Sequence, residues 1–263
     1  DGRLLLLTHA SNFQHARGGV DRSPKLGLRT AIASSTLGRH VLDAGVLGIV
    51  LIIGVYHLVI YRQRREDRAS LYFGLFCAAI SVRHGVTSFL FQGLGFGWQA
   101  ESYRFLVILE YMSTPFCVVT GGVFLHTLFP GRLIRLFVWS WCVVGTALLV
   151  GFTLVSDTES FTGTLWLYNL HVFGAAAVWV VYLAVLAVRR DATASLVLMA
   201  MSILGLGIVN DVLHTQWVFR TAYVGPYAFI AFVLAQSGII SGKFAWAFER
   251  LRKLSDELSV ALT

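Results

Sequence analysis

The chain has 263 residues, of which 56% are hydrophobic and only 13% charged, and its mean hydropathy is +0.70. That is too apolar for a water-soluble domain of this length and places the chain in a lipid bilayer. The net charge of +7 is dispersed among short segments, not gathered with aromatic residues on one surface, so it argues membrane topology and against nucleic acid as a partner.

Residues 1–40 differ from the rest. "GRLLLLTHASNFQHARGGVDRSPKLGL" reads as strand, turn, strand, with Gly18-Gly19 and Ser23-Pro24 as the breaks. A strand pair of this size is not stable alone, so residues 1–40 are expected to be the end of a β domain. The chain opens on Asp1 with neither Met nor a signal-peptide pattern, and a preceding portion is expected.

Residues 41–240 form the membrane region. A helical span needs roughly 20 apolar residues, and seven such runs follow one another: Leu42–Tyr61, Ser70–Phe91, Tyr103–Phe129, Leu136–Val155, Leu167–Val188, Leu196–Trp217 and Pro226–Ile240. Runs such as "LGIVLIIGVYHLVIY" are apolar all round, whereas barrel strands alternate, so an outer-membrane barrel is excluded. Pro115 lies inside the third span and is expected to kink it. Pro226 suits the first turn of the seventh span, and Trp98 and Trp166 suit an interfacial aromatic belt. Cys77, Cys117 and Cys142 all fall inside spans, where small apolar packing is their expected role.

Lys and Arg divide unevenly. Arg62, Arg64, Arg65, Arg68, Arg132, Arg135, Arg189, Arg190, Lys243, Arg250, Arg252 and Lys253 flank one side of the spans, while the opposite loops hold Arg104 and Arg220. Short basic loops stay in the cytoplasm, so the N-terminus is expected outside and the C-terminus inside. Residues 241–263 then make a cytoplasmic helix. Phe244, Ala247, Leu251, Leu254, Leu258 and Ala261 recur at spacings of three and four, a coiled-coil seam, and Glu249 with Lys253 is an i,i+4 pair on its flank. An amphipathic helix lying on the membrane surface is the alternative. The fold class is therefore an all-α membrane protein, a seven-transmembrane helix bundle with a short N-terminal β remnant and a C-terminal coiled-coil signalling helix.

Three stretches carry a family resemblance: "GVYHLVIYRQRREDRASLYFGLFCAAISVRHG" across the first two spans, "NDVL" in the sixth, and "GPYAFIAFVLAQSGIISGKFAWAFERLRKLSDEL" at the end. In that order they resemble the bacterial seven-transmembrane receptors with diverse intracellular signalling modules. Ser11-Asn12-Phe13, Gly18-Gly19 and Gly27 are similar to the last strands of the jelly-roll sensor domain of that family. The resemblance implies an extracellular domain for a carbohydrate-like or other small ligand. It also implies the bacterial inner membrane and a cytoplasmic output domain, a kinase, a cyclase or a phosphatase; since such outputs need two chains in register, the seam from Phe244 to Ala261 is expected to pair two copies as a homodimer. This sequence holds the end of the sensor and no output module, so the rest is expected beyond its ends.

Ionisable groups at membrane depth are costly and are functional candidates. Counted from the outer span ends, Arg83 stands at about 12 Å, His84 and Glu110 at about 10 Å, Asp211 at about 9 Å, His171 at about 6 Å and His214 at about 5 Å. With Asn169 and Asn210 they make one expected layer, a ligand or switch network between the second, third, fifth and sixth spans. Arg83 stays charged and is expected to take Glu110 or Asp211 as its carboxylate. The layer reads first as structural glue, next as an outward-facing pocket, and last as a metal site of His84, His171, His214, Asp211 and Glu110, for which no contiguous ligand motif is present. A bis-histidine haem protein using His57 and His126 with the outer histidines is a looser option. No lysine stands at mid-depth for retinal, and no kinase, cyclase, phosphate-loop or hydrolase motif occurs, so no catalytic residue is assigned in this chain. The expected function is a receptor relaying an extracellular signal through the spans and the closing helix, with no cofactor and no assigned metal. The alternative is a membrane metal- or haem-binding enzyme.

Overall fold

The structure, a computed structural model, describes residues 26–93, 95, 100–215, 218–219 and 221–261. Among these there is no strand, and seven spans are long and apolar enough to cross a membrane. In hydrocarbon no water reaches the main chain, so each apolar run closes its own hydrogen bonds as a helix. α1 (Arg29–Gln63) and α2 (Arg68–Thr87) are the first two spans; α3 (Leu90–Gly93) is a single turn, and α4 (Ala100–Leu128) is the third span. The fourth is composite: α5 (Arg132–Phe137), a π segment (Val138–Val144) and α6 (Gly145–Val155). After the short α7 (Thr158–Gly163) come α8 (Leu165–Val188), α9 (Ala192–Thr215) and α10 (Gly225–Ala261). The end of the bundle with connections 64–67, 129–131 and 189–191, which hold or adjoin Arg64, Arg65, Arg132, Arg189 and Arg190, is its basic end; the other is its far end.

Side-chain caps set several helix starts. Asp67 accepts from Ser70 N at 3.4 Å ahead of α2, and Asp191 accepts from Ala194 N at 2.9 Å ahead of α9. Asp157, exposed ahead of α7, accepts from Ser160 Oγ at 2.6 Å and Ser160 N at 3.0 Å, which hold its carboxyl below the usual carboxylate range. Arg190, at φ 65°, closes α8 in the left-handed conformation.

The spans form a closed ring, with α2 between α1 and α4, α4 against α6 and α8, α9 between α8 and α10, and α10 back against α1. Without a hydrophobic force between helices in lipid, close approach depends on small residues. Gly54 and Gly74 provide it for α1 and α2: a Cβ on Gly54 would stand 2.9 Å from Cys77 Cβ, and one on Gly74 would stand 3.0 Å from Gly54 O. The main core includes Phe73, Phe76, Phe124, Leu183, Val197, Phe232 and Val233. A second cluster, Val107, Tyr111, Phe161 and Tyr168, lies under α7 at the far end, where Tyr111 Oη donates to Thr162 O at 3.3 Å.

Three boundaries differ from the sequence reading. Residues 29–40, grouped there with the β segment, are the first turns of α1, because Leu28 turns the chain in at φ −61°, ψ 137° and the following "RTAIASSTLGRH" contains no proline and a single glycine, Gly38. The strands read in residues 1–25 lie outside the described residues. α2 stops at Thr87, short of Phe91, because Phe89 takes φ 64°. The fourth span contains a π segment that the sequence reading does not foresee. The helix continues through the expected seam to Ala261, and Lys253 Nζ stands 3.1 Å from Glu249 Oε1 as expected. Leu254 is 49% exposed, while the side chains of Phe244, Ala247, Leu251, Leu258 and Ala261 lie outside the described ones.

Candidate functional site

The polar residues expected in one layer occupy separate stations, and the most connected grips the start of α10. Asp211 on α9 accepts from Val224 N at 2.8 Å and from Gly225 N at 2.9 Å. These are main-chain donors at the N-terminus of α10, where the helix dipole favours an anion. Gly225 is required here, since a Cβ at that position would run into the Asp211 carboxylate. Asn210 completes the grip: its Nδ2 donates to Ala222 O at 2.8 Å and its Oδ1 accepts from Thr221 Oγ1 at 2.9 Å. The Asn-Asp pair therefore clamps residues 221–225.

Arg83 takes a different partner from the one expected. Its guanidinium donates to Thr114 Oγ1 and to the main-chain carbonyl of Glu110, at 3.5 Å for the latter, and among the described residues not to a carboxylate. Two causes are visible. The early end of α2 brings Arg83 nearer the rim, where the demand for a counter-charge is weaker, and Asp211 is engaged by α10. The carbonyl of Glu110 also accepts from Ser113 Oγ at 2.7 Å, one turn before Pro115 interrupts the hydrogen-bond ladder of α4. Arg83 thus ties α2 to α4 just above that interruption.

The three histidines separate. His84 Nε2 meets Asp43 O at 3.1 Å, joining α2 to α1, and its ring borders a cavity of about 40 Å³ with Val46, Val50, Ile80, Pro226 and Phe229. That cavity lies between α1, α2 and the first turn of α10, and its lining is almost wholly apolar. His171 is buried on α8, stacked on Trp141 of the π segment with centroids 6.1 Å apart, and its Nε2 meets Thr146 Oγ1 at 3.2 Å. Thr146 donates to Pro115 O at 2.9 Å and Trp141 Nε1 to His171 O at 3.1 Å, so this station joins α4, the fourth span and α8. His214 packs edge-on against Tyr223 at 4.6 Å. Asn169 is exposed on α8, away from all of these.

Among the described residues no three His, Cys, Asp or Glu side chains stand close enough to hold a metal ion, so the alternative ligand set of His84, His171, His214, Asp211 and Glu110 is dispersed.

One station near the basic end is absent from the expected layer. His57, fully buried on α1, meets Ser237 Oγ of α10 at 3.0 Å through Nε2 and Ser70 Oγ of α2 at 3.4 Å through Nδ1. Ser70 Oγ in turn donates to Asp67. A histidine within an apolar run is the available signal, which the sequence offers only loosely to a haem. Here both ring nitrogens meet hydroxyls and Phe73 lies edge-on at 4.8 Å.

The stations of Arg83, His84, His171 and His57 join helices through hydrogen bonds, and two stations at opposite ends, those of Asp211 and His57, hold α10. Such a set can transmit a displacement. No curated protein and no solved structure matches the chain. The family model described as 7TM diverse intracellular signalling matches residues 39–242, from the upper turns of α1 to the point where α10 leaves its apolar stretch. Seven apolar spans in a ring and a match over most of its length make this chain a member of the 7TM diverse intracellular signalling family.

Proposed function

We propose that the protein is a receptor whose seven spans pass an extracellular signal to a cytoplasmic output domain through α10. The observation that carries this reading is α10 itself. It is one unbroken helix of 37 residues, about 55 Å long, of which only Gly225–Gly242 is apolar enough to span. Its start is held by Asp211 and Asn210, and its middle by His57. A helix held at its far end and continuous with a projecting, charged stretch carries rotation or sliding to whatever follows it.

In this reading the basic end is cytoplasmic, residues 1–25 belong to an extracellular sensor for a small ligand, carbohydrate-like by family resemblance, and two copies pair along Phe244, Ala247, Leu251, Leu254, Leu258 and Ala261. The stations of Arg83, His84 and His171 hold the spans in register, and Asn169 has no part in them.

Insertion of one to four alanines after Gly242, in the receptor with its output domain, tests the relay. Each inserted residue turns the downstream helix by about 100°. Output is expected to change sharply with two insertions and to return towards the starting level with four. An output indifferent to all four insertions would end the relay reading.

A further inference from the structure

Gln236 is fully buried on the core-facing stripe of α10, between Val233 and Ile240, and among the described residues neither its Oε1 nor its Nε2 has a hydrogen-bond partner. An amide in an apolar core is costly unless paired. The next residue, Ser237, is the one bonded to His57. The proton positions of that chain follow from its far end. Ser70 donates its hydroxyl hydrogen to Asp67, so Ser70 Oγ accepts from His57 Nδ1–H. With the proton on Nδ1, Nε2 is an acceptor, and Ser237 supplies the donor. Nε2 therefore requires a donor from α10, and the unpaired amide beside Ser237 carries one.

We infer that α10 has a second seating, in which the Gln236 amide replaces the Ser237 hydroxyl as donor to His57 Nε2. Adjacent residues lie about 100° apart on a helix, and the longer glutamine side chain shortens the rotation the exchange needs. The exchange keeps His57 bonded in both seatings, satisfies the glutamine in the second, and leaves Ser237 free to bond within its own helix as serines in spans do. The basic-end turn at Asp67 and the projecting helix are thereby coupled through one imidazole. This deepens the relay reading above by naming the element with two arrangements.

The test is a distance measurement in lipid nanodiscs on the full chain, with spin labels at Arg62→Cys and Arg252→Cys and with Cys77, Cys117 and Cys142 replaced by alanine. The wild type is expected to show a major and a minor distance. Ser237→Ala should make the minor distance the major one; Ser237→Thr, which keeps the hydroxyl, should restore the wild-type pattern; Gln236→Met, of similar length without a donor, should leave the major distance alone. In His57→Phe, adding Ser237→Ala should change nothing. If Ser237→Ala shifts nothing, or shifts equally with and without Gln236→Met, the second seating does not exist. Should Ser237→Ala fail to insert, the wild type and Gln236→Met decide the matter, and identical distributions overturn it. These distances need no output domain. Their failure leaves the relay to the alanine series, and failure of that series leaves the seating intact as a local property.

Discussion

Asp211 shows what a carboxylate within a bundle can be for. Its depth and charge suggest an ionic partner, yet its oxygens face the main-chain donors of Val224 and Gly225. Main-chain partners carry no residue identity, which is why the sequence reading selects Asp211 and Asn210 but not what they hold. The role of His57 was hidden for a related reason: its two hydroxyl partners lie 13 and 180 residues away, and serine in a span is unremarked by composition. The clamp makes a graded prediction. Asp211→Ala strands two helix-terminal donors, of which the part-buried Gly225 N costs about 1–3 kcal/mol when unsatisfied and the exposed Val224 N less, whereas Asp211→Asn keeps one acceptor oxygen. Thermal unfolding in lipid should therefore rank wild type above Asp211→Asn and Asp211→Asn above Asp211→Ala. Equal midpoints for all three would mean that the clamp contributes nothing to holding α10.

At the scale of elements, the spans were legible because length and apolarity suffice to define them in a bilayer, and the seven expected runs coincide with seven helical spans to within a turn or two at most ends. The π segment was not legible, since widening a helix from four- to five-residue bonding leaves no mark on hydropathy. Its position is informative: it turns Trp141 onto Gly174 and His171, and the return to α geometry at Gly145 leaves room for the imidazole. A Cβ on Gly145 would lie 2.7 Å from His171 Cε1, so Gly145→Ala must push the ring off Thr146. Overpacking of this kind costs about 1–3 kcal/mol. The expected result is a lower unfolding midpoint for Gly145→Ala, recovered in part by Gly145→Ala with His171→Ala, which vacates the space. A double variant less stable than either single one would mean that the ring and the glycine do not meet.

The molecule as a whole has two unlike ends, and the difference bears on its orientation. Twelve Lys and Arg residues flank the spans at the basic end, from Arg62 to Lys253, against Arg104, in the first turns of α4, and Arg220 for the opposite side. The early start of α1 adds Arg29 and Arg39 to the far side, but the bias of short connections survives the addition. With an odd number of spans the termini fall on opposite sides, so one measurement fixes both. Arg64 lies exposed in the turn between α1 and α2, and Glu159 lies exposed on α7. Arg64→Cys and Glu159→Cys, each in a chain free of Cys77, Cys117 and Cys142, should report opposite sides when intact cells are treated with a thiol reagent that cannot cross the membrane. Glu159→Cys is expected to react at once and Arg64→Cys only after the membrane is opened. The reverse pattern would put the projecting half of α10 outside the cell, where it could reach no cytoplasmic partner, and the receptor reading would have to be abandoned even though the fold and the family assignment would stand.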